Sequence, residues 1–265
     1  TVQINGVSMD ASMGLDRAHM VKFKDLFLEN GCHVVNIEYR RINILTPDDT
    51  KYTDMLDDVK SAVTFLKTNA DYYKIDTTKI IMLGYSAGGH LAELYSYKVT
   101  DSPIPVKLCI GRAGPADFSN KKFRTCSLGG FASYPGLAAF FGLPENTSQT
   151  ELENFFRCRL ITNLLGIETD VTSDIDKIAD DPNNQSVIQA ASPIYHVKST
   201  SPRTIILHGK KDPLVDYSIA ESLDAKLTEC GVTHDFITLP NADHGLSMTK
   251  SELQEFNSKV LAAIR

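Results

Sequence analysis

Apolar positions along the chain follow two patterns that alternate. Short runs rich in β-branched residues predict strands, and between them apolar residues recur at helical spacing. The clearest helical segment runs from Tyr52 to about Asn69, with a charged face opposite its apolar stripe. The predicted strands lie at 1–5, 33–39, 80–83, 106–110, 204–207 and 236–239. This order predicts an α/β fold with a mainly parallel sheet and helices on both faces.

Further helices are predicted at about 19–29, from the turn after residue 88 to about 98, and at 217–229. A last helix closes the chain. We expect Ser251 to cap this helix, with Gln254 completing a capping-box pattern. Its predicted buried stripe consists of Leu253, Phe256, Val260 and Ile264.

The alternation stops between about residues 117 and 197, which we interpret as an insertion in a single domain covering 1–265. Glycine and proline are interspersed there, and eight aromatic residues lie between positions 118 and 156. Two interpretations stay open: a helical excursion that buries its own aromatics, or a lid or acyl pocket over the carboxyl edge of the sheet. The eight are Phe118, Phe123, Phe131, Tyr134, Phe140, Phe141, Phe155 and Phe156.

Composition narrows the class of protein. Of 265 residues, 42% are apolar and 23% are charged, as in soluble globular proteins. The net charge of -6 disfavours nucleic acid or an anionic membrane as a partner, and no apolar run is long enough to span a membrane. We expect a cytoplasmic protein; secretion stays open because residue 1 is Thr, and a homo-oligomer also stays open.

The chain contains five widely spaced cysteines, with no C-x-x-C pair and no cluster typical of zinc ligands. We expect buried free thiols rather than disulfides or metal ligands. The five are Cys32, Cys109, Cys126, Cys158 and Cys230.

The segment from Gly84 to Gly88 reads Gly-Tyr-Ser-Ala-Gly, with a predicted strand before it and a predicted helix after it. This pattern is typical of a nucleophile elbow, in which the glycines leave room for a strained turn that exposes the serine oxygen. Ser86 is therefore the candidate nucleophile. The backbone N–H of Ala87, at the start of the helix, would be the first donor of an oxyanion hole.

Two later loops supply partners for Ser86. Asp212 and His244 each follow a predicted strand, and the carboxyl ends of parallel strands meet at one edge of a sheet. His244 is the candidate base that removes the serine proton, and Asp212 the acid that orients it.

Other residues compete for these roles. We expect His208 to be structural, bonding loop backbone, and His90 to be a satisfied helix histidine. Asp216 is expected to cap the following helix, and the side chain of Asp243 to point away from the neighbouring imidazole.

Together these segments resemble the esterase/lipase group of α/β-hydrolases that includes acetyl-esterase-like, feruloyl-esterase-like and hormone-sensitive-lipase-like enzymes. Ile80 to Ala92 is very similar to the elbow strand and nucleophile helix of that group. The Ala191-Ser192-Pro193-Ile194 segment, the 208–215 loop and Asp243-His244-Gly245 match its second half.

One segment departs from the family. Its first loop usually reads His-Gly-Gly-Gly and supplies the second oxyanion donor, but here the matching residues are Asn5-Gly6-Val7-Ser8. The backbone N–H groups of Gly6 and Val7 are the candidates for this donor. A β-branched Val7 resists the positive φ that glycine accepts, so we expect a different loop path or a weaker oxyanion hole.

The resemblance implies a serine hydrolase that cleaves carboxylic esters of small or medium acyl groups through an acyl-enzyme. It implies a small-molecule ester substrate and neither a metal nor an organic cofactor. Two alternatives stay open: a peptidase or amidase of the same fold, and a weakly active or non-catalytic binding homologue with a degenerate oxyanion loop.

Overall fold

The computed structural model describes residues 2–4, 16–42, 49–125, 138, 143–168 and 174–264. Within them, six parallel strands form one sheet in the order β2-β1-β3-β4-β5-β6. All six lie where the apolar runs predict them. The strands are β1 Val2–Ile4, β2 Val35–Ile37, β3 Ile80–Tyr85, β4 Val106–Arg112, β5 Arg203–Gly209 and β6 His234–Leu239.

Helices connect the strands in the predicted alternation. In chain order they are α1 Asp16–Glu29, α2 Tyr52–Thr68, α3 Ala70–Tyr73, α4 Ala87–Lys98, α5 Lys121–Thr125, α6 Gln149–Leu165, α7 Ile175–Asp180, α8 Pro182–Ala191, α9 Tyr217–Glu229 and α10 Lys250–Ile264. A 3₁₀ turn, Pro193–His196, follows α8. The predicted bounds of α9 match the structure.

The sheet separates two hydrophobic cores, because successive side chains of a strand point to opposite faces. On one face, Met82 and Cys109 pack with residues of α2, α4 and α9. On the other, Leu83 and Ile110 pack with residues of α1 and α10, including Phe23. The prediction of helices on both faces is confirmed.

The start of α10 differs from the prediction. The helix begins at Lys250, and Thr249 caps it: its hydroxyl accepts from the Glu252 N–H at 3.3 Å, and the Glu252 carboxylate accepts from the Thr249 N–H at 2.7 Å. This capping box lies two residues before the predicted one, so Ser251 is inside the helix.

The buried stripe of α10 is also narrower than predicted. Phe256, Val260 and Ala263 lie within about 60° of one another around the helix axis and are buried. Leu253 lies on the flank of this stripe and is 38% exposed, and Ile264 on the same flank is partly buried.

Where it is described, segment 117–197 contains the four helices α5 to α8, joined by loops and turns. Of the eight aromatics between positions 118 and 156, Phe118, Phe123, Phe155 and Phe156 are buried. The other four lie outside the described residues. The lid or acyl-pocket interpretation stays a prediction.

Four cysteines within the described ranges, Cys32, Cys109, Cys158 and Cys230, are free thiols. Cys109 and Cys158 are buried as expected, whereas Cys32 and Cys230 are only half-buried. Cys126 lies outside these ranges. In the described part of the chain, no helix is both long and apolar enough to cross a membrane.

Candidate active site

Ser86 lies on a sharp turn between β3 and α4. Its φ of 54° and ψ of -121° are unusual for a residue with a side chain, and such backbone strain costs about 1–3 kcal/mol. The Ser86 N–H donates to the Arg112 carbonyl at the end of β4, with an N···O distance of 2.8 Å. The turn is therefore anchored to the neighbouring strand.

Glycines make this turn possible. A Cβ on Gly84 would overlap the carbonyl oxygen of Gly88, so no larger residue fits. At Gly89, a Cβ would lie 3.0 Å from the Arg112 carbonyl oxygen. The absence of a side chain there lets the start of α4 approach β4 closely. The elbow predicted from the Gly-x-Ser-x-Gly pattern has the expected backbone form.

The structure brings the three predicted side chains together. The Ser86 Oγ lies 2.9 Å from the His244 Nε2, and the His244 Nδ1 lies 2.7 Å from the Asp212 Oδ2. A carboxylate only accepts hydrogen bonds, so Nδ1 carries a proton and donates a hydrogen bond to Asp212. Nε2 is then free to accept the serine hydroxyl.

The side chain of Asp212 is fully enclosed and richly bonded. Its Oδ1 accepts from the N–H groups of Leu214 and Val215, each at 2.9 Å. Burial pushes the pKa of Asp212 upward, but hydrogen bonds from His208 and His244 outweigh burial and hold the pKa well below its usual range. Asp212 is therefore a carboxylate at neutral pH.

His208 contacts the side chain of Asp212 as well as loop backbone, which was not predicted from the sequence. Its Nε2 lies 2.8 Å from the Val215 carbonyl oxygen, as expected of a residue that bonds loop backbone. The same nitrogen also lies 3.3 Å from the Asp212 Oδ2. The two residues are four apart in one tight loop, and this spacing was the only signal of the contact in the sequence.

The competing residues lie as expected. Asp216 caps α9, accepting from the Ser218 N–H at 3.0 Å, and Asp243 accepts from the Gly245 N–H at 2.9 Å. The His90 Nε2 lies 2.7 Å from the Ala191 carbonyl oxygen in the core, and burial lowers the pKa of His90 to about 4.

Tyr85 was not singled out by the sequence. Its hydroxyl donates to the backbone carbonyl of His244 at 2.8 Å, and the two rings lie 5.3 Å apart. The contact joins positions 159 residues apart, so no local pattern signals it.

The start of α4 offers backbone donors beside Ser86. The first intrahelical hydrogen bond runs from the His90 N–H to the Ser86 carbonyl, so the N–H of Ala87 precedes it. The helix dipole adds positive potential at this end. Gly6 and Val7, predicted as the second donor, lie outside the described residues.

Among the residues that the structure describes, no group of three or more His, Cys, Asp or Glu side chains could hold a metal ion.

A parallel sheet with a serine elbow after one strand, and an aspartate and a histidine on later loops, defines an α/β-hydrolase. Within this class, the chain matches the BD-FAE family over residues 2–227 and belongs to it. The matched range ends before His244.

Relatives and solved structures agree with this fold. Esterase LipQ from Mycobacterium tuberculosis is 26% identical over 192 residues, which cover 72% of this chain but 38% of LipQ. A truncated carbohydrate esterase from gut microbiota superposes with a TM-score of 0.66 at 18% identity, covering 99% of this chain and 84% of that one.

An acetyl ester-xyloside bifunctional hydrolase from Caldicellulosiruptor lactoaceticus gives a TM-score of 0.63 at 18% identity, covering 99% of this chain and 82% of that one.

Proposed function

We propose that this protein is a serine hydrolase that cleaves carboxylic esters through an acyl-enzyme. The observation that carries the proposal is the continuous hydrogen-bonded chain from Ser86 through His244 to the enclosed carboxylate of Asp212. Membership of the BD-FAE family and similarity to an esterase support it.

Acylation begins at Ser86. As its Oγ attacks the ester carbonyl, the Nε2 of His244 takes the hydroxyl proton, and the Asp212 carboxylate stabilises the imidazolium that forms. In this proposal the Ala87 N–H, at the start of α4, donates to the developing oxyanion. When the tetrahedral intermediate collapses, His244 returns the proton to the leaving alkoxide, and an alcohol departs.

Deacylation repeats these steps with water. His244 removes a proton from the attacking water, the acyl-enzyme carbonyl passes through a second oxyanion, and the carboxylic acid is released as Ser86 regains its proton. Every step uses side chains and backbone groups of this chain together with water, so the proposal includes neither a metal nor a cofactor.

The substrate we propose is a small ester with a short or medium acyl group, such as an acetylated sugar. The support comes from the structural neighbours, a carbohydrate esterase and an acetyl ester-xyloside hydrolase. Segment 117–197 packs beside the nucleophile helix, since the Phe118 ring lies 4.9 Å from the His90 ring of α4.

The test is hydrolysis of nitrophenyl esters of increasing acyl length, alongside acetylated and feruloylated sugars. We expect acetyl or butyryl esters to be preferred, and Ser86→Ala to lose at least about 10⁴-fold in kcat. Ser96→Ala is the matched control, because this buried serine lies on the same helix and its hydroxyl donates to the Ala92 carbonyl within that helix.

A Ser86→Ala variant that keeps more than a small fraction of activity would overturn the mechanism. Failure of the wild type to react with a fluorophosphonate probe would instead favour a non-catalytic binding protein. Matched ester and anilide substrates separate an esterase from an amidase, because both chemistries use the same three side chains.

A further inference from the structure

Tyr85 lies between His244 and a buried arginine. On one side, its hydroxyl donates to the His244 carbonyl and its ring faces the imidazole. On the other side, the guanidinium carbon of Arg112 lies 5.5 Å from the Tyr85 ring centroid and 4.4 Å from that of Phe23. Tyr85 therefore connects the histidine loop to the end of β4.

Arg112 is buried although its side chain is charged. The residue is 2% exposed, and among the described residues neither its Nε nor its Nη1 has a hydrogen-bond partner. Burial lowers the pKa of Arg112 to about 10, so the guanidinium is still charged at neutral pH. A buried charge without a paired anion is costly, and an apolar residue would serve packing better.

Strand register explains why this arginine meets Tyr85. The two residues are paired across β3 and β4, so their side chains point to the same face of the sheet. The Arg112 carbonyl also accepts the Ser86 N–H. The same pair of residues thus holds the serine through one backbone bond and the histidine through one side-chain bond.

We propose that Tyr85 is a positioning residue for His244 and that Arg112 supports it. The proposal rests on the proposed function. The hydroxyl bond fixes the backbone of the histidine loop, and the ring limits rotation of the imidazole. The guanidinium polarises the Tyr85 ring, which strengthens the hydroxyl as a donor.

Tyr85→Phe tests the hydroxyl while keeping the ring. We expect kcat to fall about tenfold with KM unchanged, since one hydrogen bond contributes roughly the free energy of a tenfold rate change. Tyr97→Phe is the matched control: it removes another buried hydroxyl, 3.0 Å from the Thr204 Oγ1, and should leave kcat within about twofold.

Arg112→Met and Arg112→Lys test the support. We expect Arg112→Met to lower kcat about threefold without changing KM. Arg112→Lys keeps a charge near the ring and should recover part of this loss. A merely structural arginine would show neither the kcat-specific loss nor the recovery.

A second measurement does not depend on turnover. The proton that the His244 Nδ1 shares with Asp212 should give a far-downfield proton NMR resonance when the imidazole is held in place. We expect a sharp resonance in the wild type and in Tyr97→Phe, and a broadened or exchanging one in Tyr85→Phe.

Unchanged kcat together with an unchanged resonance in Tyr85→Phe would overturn the inference. Failure of the wild type to react with the fluorophosphonate would overturn the proposed function instead. In that case the resonance comparison alone still decides whether Tyr85 positions His244.

Discussion

The two faces of strand β4 bury ionisable side chains in different ways. Next to Gly111, on the face covered by α4, lies the carboxyl of Glu93, which is 1% exposed. The following residue, Arg112, points to the opposite face and is 2% exposed. A carboxylate and a guanidinium would attract each other, but the sheet lies between these two side chains and they cannot pair.

The difference lies in which group can give up its charge. Burial raises the pKa of Glu93 well above its ordinary value, so the carboxyl takes a proton. On the same helix, burial lowers the pKa of His90 to about 4, so the imidazole is neutral. A guanidinium cannot be neutralised in this way, and Arg112 lies against two aromatic rings instead.

The α4 face thus contains neutral groups, whereas the opposite face keeps a charge beside the candidate site. Glu93 and His90 are buried as neutral groups on the α4 face, which fits a structural role. The retained charge of Arg112 fits its support of Tyr85.

The largest expected effect concerns His90. Its lowered pKa means that the unfolded chain binds the proton more tightly, so stability falls as the pH falls from 6.5 to 4. The difference in pKa corresponds to about 3 kcal/mol. His90→Gln should lack this loss, and urea unfolding at several pH values measures the difference. Equal pH dependence in both proteins would show that His90 does not titrate as a buried neutral group.

Gly111→Ala tests how closely Glu93 packs on β4. A Cβ there would overlap the Glu93 Oε1, and we expect a loss of about 2 kcal/mol in the free energy of unfolding. In a Glu93→Ala background the same substitution should cost much less. Additive costs in this double-mutant cycle would contradict the contact.

Glu93 should make the free energy of unfolding depend on pH in the opposite direction to His90, and Glu93→Gln tests this. A raised pKa favours the folded state at low pH, and this stability is lost as the pH rises above 4.5 towards the pKa of the folded state. Across that range the free energy of unfolding should fall by up to about 1.4 kcal/mol for every pH unit. The variant should lack this decline in chemical unfolding, whereas a persisting decline would point to another group.

The smallest effect is expected on the opposite face. Arg112→Met should raise the free energy of unfolding by about 1 kcal/mol, because it removes a buried charge whose Nε and Nη1 have no partner among the described residues, and it keeps an apolar contact with the rings. Thermal unfolding measures the change. A clear loss of stability would mean that the arginine is retained for the fold and not for the site.

Much of this architecture follows from local sequence. Apolar periodicity is enough to place the six strands and the main helices outside segment 117–197, since burial of one face imposes its period on the residues. It did not place α6, the 17-residue helix Gln149–Leu165 within that segment. The elbow is equally local, because a Cβ on Gly84 would overlap the carbonyl oxygen of Gly88 and block the turn. Ser86, Asp212 and His244 could be found in the sequence because each directly follows a predicted strand.

Local patterns were insufficient where two of them competed or where contacts span the chain. Thr249 with Glu252 capped α10 in place of the equally plausible Ser251 with Gln254. Leu253 has the spacing of the buried stripe of α10, yet it lies on the flank of that stripe and is partly exposed.

The sequence by itself therefore determined the class of fold, the elbow and the set of candidate residues. Tertiary structure alone decided that Tyr85 reaches His244, that His208 shares Asp212, and that Glu93 and Arg112 are buried on opposite faces. The physical reason is that these contacts depend on strand register and on which helix covers each face. Both are set by packing across the whole sheet.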